Sequence, residues 1–194
     1  MIFELKSESS RLVLKKWEDD REVFTLKQVH SSKVHMIDSV GKKLEGDAII
    51  TQERGLKIGV RTADCVPVAL LGKRTVAVIH AGWRGLKEGI VERTLEKLSK
   101  LEPLSGFLAF VGPSAKACCY EVGEEFKEHF LCIHYKNNRH YMDTQEETLL
   151  RLKRSGVEDV FLYKLCTVCN HKFPSHRRNG TKERFLTYAE LLSE

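Results

Sequence analysis

Three short islands carry side chains whose types and spacing suit chemistry better than packing. The first is His80-Ala81-Gly82-Trp83-Arg84-Gly85, which follows the apolar run Thr75-Val76-Ala77-Val78-Ile79 and precedes a helical pattern starting at Leu86. A strand end fixes an imidazole, glycines let backbone N–H groups approach a ligand, and a helix N-terminus favours an anion. The second island is Arg61-Thr62-Ala63-Asp64-Cys65. The third is Gly112-Pro113 followed by Cys118-Cys119-Tyr120-Glu121. Together they point to an enzyme.

Two chemistries compete for these residues. His80, Cys119 and His140 form a candidate metal set, because two imidazoles and a thiolate suit zinc and leave a fourth position for water. Zinc lowers the pKa of that water toward neutrality. No short motif ties the three together, so histidines satisfied in the core or at the surface stay open as the alternative. Cys65 and His80 fall on the two strands of one expected hairpin, where they could instead pair as nucleophile and base. Cys166-Thr167-Val168-Cys169, with His171 and His176 close behind, has gaps too short for an ordinary zinc finger. A redox dithiol, or an incidental cysteine at a buried strand end, fits that stretch.

The elements that must position these groups follow from periodicity. Leu12–Leu14, Val23–Leu26, Val34–Ile37, Asp47–Ile50 and Leu56–Val60 alternate as short strands, punctuated by Gly41, Gly46 and Gly55. Val66–Leu71 and Thr75–Ile79 are continuous apolar runs flanking Gly72-Lys73-Arg74, which predicts a central hairpin. Leu86–Leu98 repeats Ile90, Leu95 and Leu98 on one helical face. Phe107–Val111 and Val160–Leu165 are expected as strands. Val122–Phe130, Thr144–Leu152 and Phe185–Leu192 are expected as helices, with Asp143 near an N-cap and His140 in the preceding loop. The prediction is one α+β domain over residues 1–194, with strands early and helices late.

Composition sets the outer bounds. The chain has 194 residues, enough for one well-buried domain. Its 42% hydrophobic and 30% charged residues describe an ordinary soluble protein. The net charge of +5 favours anionic ligands, but both signs are interspersed, which argues against nucleic acid as partner. No apolar stretch reaches bilayer length and the N-terminus lacks a signal-peptide pattern, so neither membrane insertion nor secretion is expected. Six cysteines then read as thiols or metal ligands in a reducing cytoplasm.

Taken together, the islands resemble the laccase-domain family, described as polyphenol-oxidase-like and as multifunctional purine nucleoside phosphorylases. The matching residues are Gln28-Val29-His30, Gly46-Asp47-Ala48, Thr62-Ala63-Asp64-Cys65-Val66-Pro67, the His80–Gly85 island, and Gly112-Pro113 with Cys119-Tyr120-Glu121-Val122-Gly123. Cys166-Thr167 and Phe173-Pro174-Ser175-His176-Arg177-Arg178 continue the match. The resemblance implies a layered α/β/β/α arrangement with mixed sheets and one zinc held by histidine, cysteine and histidine. Carried over by motif, these are His80, Cys119 and His140, with His134 the nearest competitor for the third place. It also implies phosphorolysis of adenosine, inosine and methylthioadenosine, and hydrolytic deamination of adenosine. The chain departs from the pattern in its short N-terminal segment and at Pro174 and His176.

For deamination, the resemblance calls for attack by zinc-activated water and a carboxylate to move the proton, for which Asp64 is the candidate. For phosphorolysis, Arg61, Arg84 and the Gly82–Gly85 turn offer guanidinium forks and backbone donors to phosphate. Arg177 and Arg178 are expected to close the site, and Gln28 and His30 to orient base or ribose. The rival enzyme classes are a cysteine hydrolase or deamidase using Cys65 and His80, and a copper-dependent phenol oxidase. One His-Cys-His site is a poor multicopper centre, so copper there reads as adventitious.

Overall fold

The computed structural model describes residues 1–17 and 20–193. In chain order it contains β1 (Phe3–Lys6), β2 (Ser10–Lys16), β3 (Val23–Thr25), β4 (Val34–Met36), β5 (Ala48–Thr51), β6 (Lys57–Thr62), β7 (Val66–Leu71) and β8 (Val76–Ala81). Helices α1 (Trp83–Lys87) and α2 (Ile90–Ser99) come next, followed by β9 (Leu108–Val111), β10 (Glu121–Val122), β11 (Ile133–Lys136) and β12 (Arg139–Met142). The chain then forms α3 (Thr144–Arg154), β13 (Asp159–Leu162), α4 (His176–Asn179) and β14 (Phe185–Leu191).

Strands β7 and β8 are buried at every position and pair antiparallel, Val66 opposite Ala81 and Leu71 opposite Val76. A strand buried on both faces has no reason to alternate in polarity, which is why these runs are continuously apolar. They lie at the centre of a six-stranded mixed sheet of order β13-β9-β7-β8-β5-β4, parallel at its two ends. A five-stranded sheet, order β1-β2-β14-β6-β3, packs against it. A small antiparallel sheet, β10-β12-β11, lies to one side.

Alternate residues of the central strands feed two cores. Val66, Val68, Leu70, Ala77, Ile79 and Ala81 meet Ile90, Val91, Leu95 and Leu98 of α2. Ala69, Leu71, Val76 and Val78 meet Leu12, Leu14, Ile58, Val60 and Phe185 of the five-stranded sheet. The far face of that sheet is closed by Val13, Val23, Leu186 and Tyr188, with the Lys15 ammonium 5.8 Å from the Tyr188 ring centre. The fold is a single α+β domain with mixed sheets.

Four expectations need correction. The helix expected over Leu86–Leu98 is two helices, broken where Gly89 takes φ +82°, a left-handed conformation that ends one helix and precedes the next. Val122–Phe130 holds the end of β10 and a 3₁₀ segment, Glu124–Glu128, rather than an α-helix. Phe185–Leu192 is not a helix: residues 185–191 are β14, paired to β2 on one side and β6 on the other. Its aromatic and branched side chains pack on both sheet faces, which erases the two-residue alternation. His140 lies on β12, not in a loop, although Asp143 does cap α3, its side chain accepting the Glu146 N–H.

Candidate functional site

The β7–β8 register determines where the chemistry sits. Pro67 faces His80 and Val66 faces Ala81, so Cys65, immediately before β7, comes level with Gly82. Val76 and Val78 point into the core between the sheets, and His80 continues that face at the open end of the strand. His30 arrives from the loop after β3 with φ +60°, an uncommon conformation held by its N–H to Asp47 Oδ1 at 3.0 Å. Its ring stands edge-on to His80, centroids 4.8 Å apart. The ligand atoms of His30, Cys65 and His80 all lie within 4.8 Å of one another.

Gly82 makes this crowding possible. A Cβ there would stand 3.0 Å from Cys65 Sγ and 3.2 Å from His30 Cδ2. Gly82→Ala should therefore displace Cys65 or His30 while leaving the buried hairpin paired. The expected result is cation affinity weakened roughly 10–100-fold, as when groups around a metal site are disturbed, with a near-wild-type denaturant midpoint. Calorimetric metal titration and a urea melt on the same sample check it.

Asp47, fully buried, is the strut behind the cluster. Its Oδ1 accepts His80 Nδ1 at 2.7 Å, and its Oδ2 accepts the Ser31 N–H and hydroxyl at 2.7 and 2.6 Å. Burial raises its pKa, but the hydrogen bonds from His80 and Ser31 outweigh that and bring it to about 2. The same bond fixes the His80 tautomer and leaves Nε2 free for the cluster. Burial alone would raise Cys65, yet the His80 charge and the His30 hydrogen bond bring it down to about 6. Cys65 and Asp47 in turn lift His80 to about 9 against burial. Each of the two groups thus favours the charged form of the other.

The cluster opens into a cavity of about 820 Å³. Among the described residues, Arg61, Arg84, Arg177, Lys182 and Arg184 line it, against one carboxylate, Asp64. Three aromatic rings, Trp17, Trp83 and Tyr120, also line it. Arg61 stacks over Trp17 and Arg177 over Tyr120, each 4.8 Å from the ring centre, and Arg84 lies 4.5 Å from that of Trp83. Cations and flat apolar faces thus share one wall, an arrangement that can take a ligand with an anionic and an aromatic part.

The expected site residues sort into three groups. Gln28, His30, Arg61, Asp64, Cys65, His80, Arg84 and Arg177 all meet this cavity. Two of them are already committed to holding the chain. Gln28 exchanges hydrogen bonds with both backbone groups of Arg61, at 2.7 and 2.8 Å, in the manner of a strand neighbour. Asp64, at φ +84°, accepts the Thr167 hydroxyl and the Arg177 N–H, each at 2.7 Å, and so holds Arg177 over the cavity. Arg178 lies outside the cavity lining. Its guanidinium binds the carbonyls of Thr167, Val168 and Phe173 and ties that loop together.

His80, Cys119 and His140 are not brought together. Cys119 clusters with Cys118, Cys166 and Cys169, while His80 clusters with His30 and Cys65. His140, on β12, faces a separate cleft with Glu124, Lys127 and Tyr135. The antiparallel pairing of β12 with β10 and β11 carries it into the small side sheet. His134 bonds Glu146 at the surface, 3.0 Å away. Sequence reasoning missed Asp47 as a strut, although Gly46-Asp47-Ala48 was already a recognised island. It also missed Trp17, Lys182 and Arg184, which no motif marks.

The comparisons with known proteins bear on this geometry. A purine nucleoside phosphorylase of Aquifex aeolicus is 48% identical over 167 residues, covering 85% of this chain and 81% of that protein. An adenosine deaminase from an unknown prokaryotic organism is 33% identical over 180 residues, covering 79% and 69%. The crystal structure of Neisseria meningitidis protein NMB0706 superposes with a TM-score of 0.81 at 29% identity, covering 88% of this chain and 75% of that one. A family model described as multi-copper polyphenol oxidoreductase laccase matches residues 6–191, nearly everything from β1 through β14, and the chain belongs to that family.

Proposed function

We propose that the chain is a zinc-dependent purine nucleoside phosphorylase acting on adenosine, inosine and methylthioadenosine, with adenosine deaminase activity, in the cytoplasm. The observation that carries this is the placement of His30, Cys65 and His80 at the floor of a cavity walled by arginines and aromatic rings. The names of the relatives, purine nucleoside phosphorylase and adenosine deaminase, support the substrate class.

The donor set fits zinc. Two imidazoles and one thiolate within 4.8 Å leave room for a further ligand, and a buried carboxylate on the outer nitrogen of a ligating histidine is the usual support for such a site. When bound, zinc supplies a Lewis acid that polarises a donor oxygen and lowers the pKa of water. His30, Cys65 and His80 would hold it. Asp47 orients His80 and balances its charge. Cys65 needs little help to deprotonate, so binding at neutral pH releases mainly the His80 proton.

The rest of the cavity binds and orients. Arg61, Arg84 and Arg177 are the cations for phosphate, with Lys182 and Arg184 at hand. Trp17, Trp83 and Tyr120 offer faces for a purine. Asp64 acts through Arg177 rather than as a proton carrier, because both its oxygens already accept hydrogen bonds.

A second reading rests on one specific feature. Cys65, His80 and Asp47 also have the order of a nucleophile, base and orienting carboxylate, which suits a cysteine hydrolase. In this reading His30 helps hold the Cys65 thiolate through its hydrogen bond. Copper oxidation has less support, because among the described residues the donors form one mixed histidine–cysteine group and one all-cysteine group, neither of which suits several coppers.

The test is metal analysis of chelator-washed protein, followed by assay with adenosine, with and without phosphate. Zinc in this cluster, with phosphate-dependent adenine release or with inosine formation, is the expected result. A metal-free chain that is inert to adenosine but labelled at Cys65 by an amide or ester probe would replace it with the hydrolase.

A further inference from the structure

A second group of metal-binding side chains lies outside the cavity. Cys118, Cys119, Cys166 and Cys169 place four sulfur atoms within 4.8 Å of one another, and none is in a disulfide. They come from two segments far apart in sequence. Cys118 and Cys119 sit in a tight turn, closed by the N–H groups of Cys119 and Tyr120 on the Lys116 carbonyl at 3.0 and 2.8 Å. Cys166 begins another turn, closed by Asn170 N–H on its carbonyl at 3.2 Å and bridged to Ser114.

We propose that these four cysteines form a mononuclear tetrathiolate site for a structural zinc ion, distinct from the His30–Cys65–His80 cluster. Zinc–sulfur bonds of about 2.3 Å in a tetrahedron put the sulfurs about 3.8 Å apart. The Cys118 and Cys169 sulfurs are 3.7 Å apart, and no pair exceeds 4.8 Å. The thiolates of an iron–sulfur cubane sit on four different irons and are spread more widely, so this spacing favours a single ion.

The surroundings of Cys166 are those of a metal-binding knuckle. It is buried, and the N–H groups of Lys116, Val168 and Cys169 are directed at its sulfur. Donors aimed at a ligand atom position it and stabilise its negative charge. Arg178 braces the turn from behind by binding the Thr167 and Val168 carbonyls.

The site would staple the turn that leads into Tyr120 to the segment that leads into Arg177. Those two residues stack on each other and line the cavity. The zinc would be structural, with all four positions filled by protein and none left for substrate.

Native mass spectrometry of the full chain, reconstituted with zinc, tests this against two variants. The wild type is expected to hold about two zinc ions, and the Cys118→Ser/Cys169→Ser variant about one. His30→Ala empties the cavity cluster and is expected to keep one ion. With cobalt in place of zinc, that variant should show the strong visible absorption of four thiolates. Because the double variant could fail to fold, alkylation of the wild type gives an independent measure. Cys118 and Cys169 are exposed, so bound zinc should slow their modification roughly tenfold or more until a chelator is added. Equal zinc content in wild type and double variant, alkylation indifferent to chelator, or an intact mass showing a disulfide among these four would overturn the proposal. Since His30→Ala and the double variant report on different sites, loss of one assignment leaves the other standing.

Discussion

Asp47→Ala is expected to be among the most damaging single changes in the chain, lowering stability by about 3–5 kcal/mol, the usual effect of breaking a buried ion pair. The carboxylate has no exposed surface and serves five donors: His80 Nδ1, the Val29 and His30 N–H groups and both donors of Ser31. An alanine strands all five. In a chain of this size the fall in melting temperature should be on the order of 10 °C. Acid unfolding adds a sign that can be checked. Because folding depresses the Asp47 pKa to about 2, its contribution is complete above the ordinary carboxylate range and disappears as pH falls from there through about 2. That contribution is about 2 kcal/mol in the wild type and absent from the variant. Urea melts across an acid pH series measure both effects. A variant within about 1 kcal/mol of wild type at neutral pH would show that Asp47 is no strut.

His30→Ala carries the second large effect, and it separates the two chemistries. It leaves Cys65, His80 and Asp47 in place and removes only the third donor. If the cluster is a metal centre, the variant should lose the ion at this site, and nucleoside turnover should fall by about a thousandfold, equivalent to about 4 kcal/mol in the transition state. If the pair is a hydrolase, His30→Ala should still react with thiol-directed probes, its pH profile shifted upward by loss of the hydrogen bond to Cys65. Metal content and turnover measured on one preparation decide it. Retained metal at this site with full turnover would sink the assignment of His30 as ligand.

The central hairpin was legible because strands buried on both faces leave uninterrupted apolar runs, and Val66–Leu71 and Thr75–Ile79 are such runs. The same physics hid β14. Phe185, Ala189 and Leu191 face the core while Leu186 and Tyr188 face the outer surface, so neither helical nor strand periodicity stands out. The cavity residues were largely legible, since the islands at Arg61–Cys65 and His80–Gly85 converge on it. The metal donors were only partly so. His30 depends on a left-handed backbone and a buried carboxylate 17 positions away, neither of which leaves a local pattern. Cys119 was expected beside His80 because its island is chemically rich. The pairing of β12 takes His140 into the side sheet, and Cys119 finds three other cysteines instead.

The place of β14 bears on how the molecule is made. Residues 185–191 sit between β2 and β6, in the middle of the five-stranded sheet. Until the ribosome has released that segment, β2 and β6 each present an open edge, and the inner face of the six-stranded sheet has only part of its cover. A nascent chain halted before residue 185 would therefore be sticky, and Lys182 and Arg184, which line the cavity just ahead of β14, would have no paired strand to hold them. Vectorial synthesis therefore leaves this wall of the cavity to the end, when β14 enters the gap between β2 and β6.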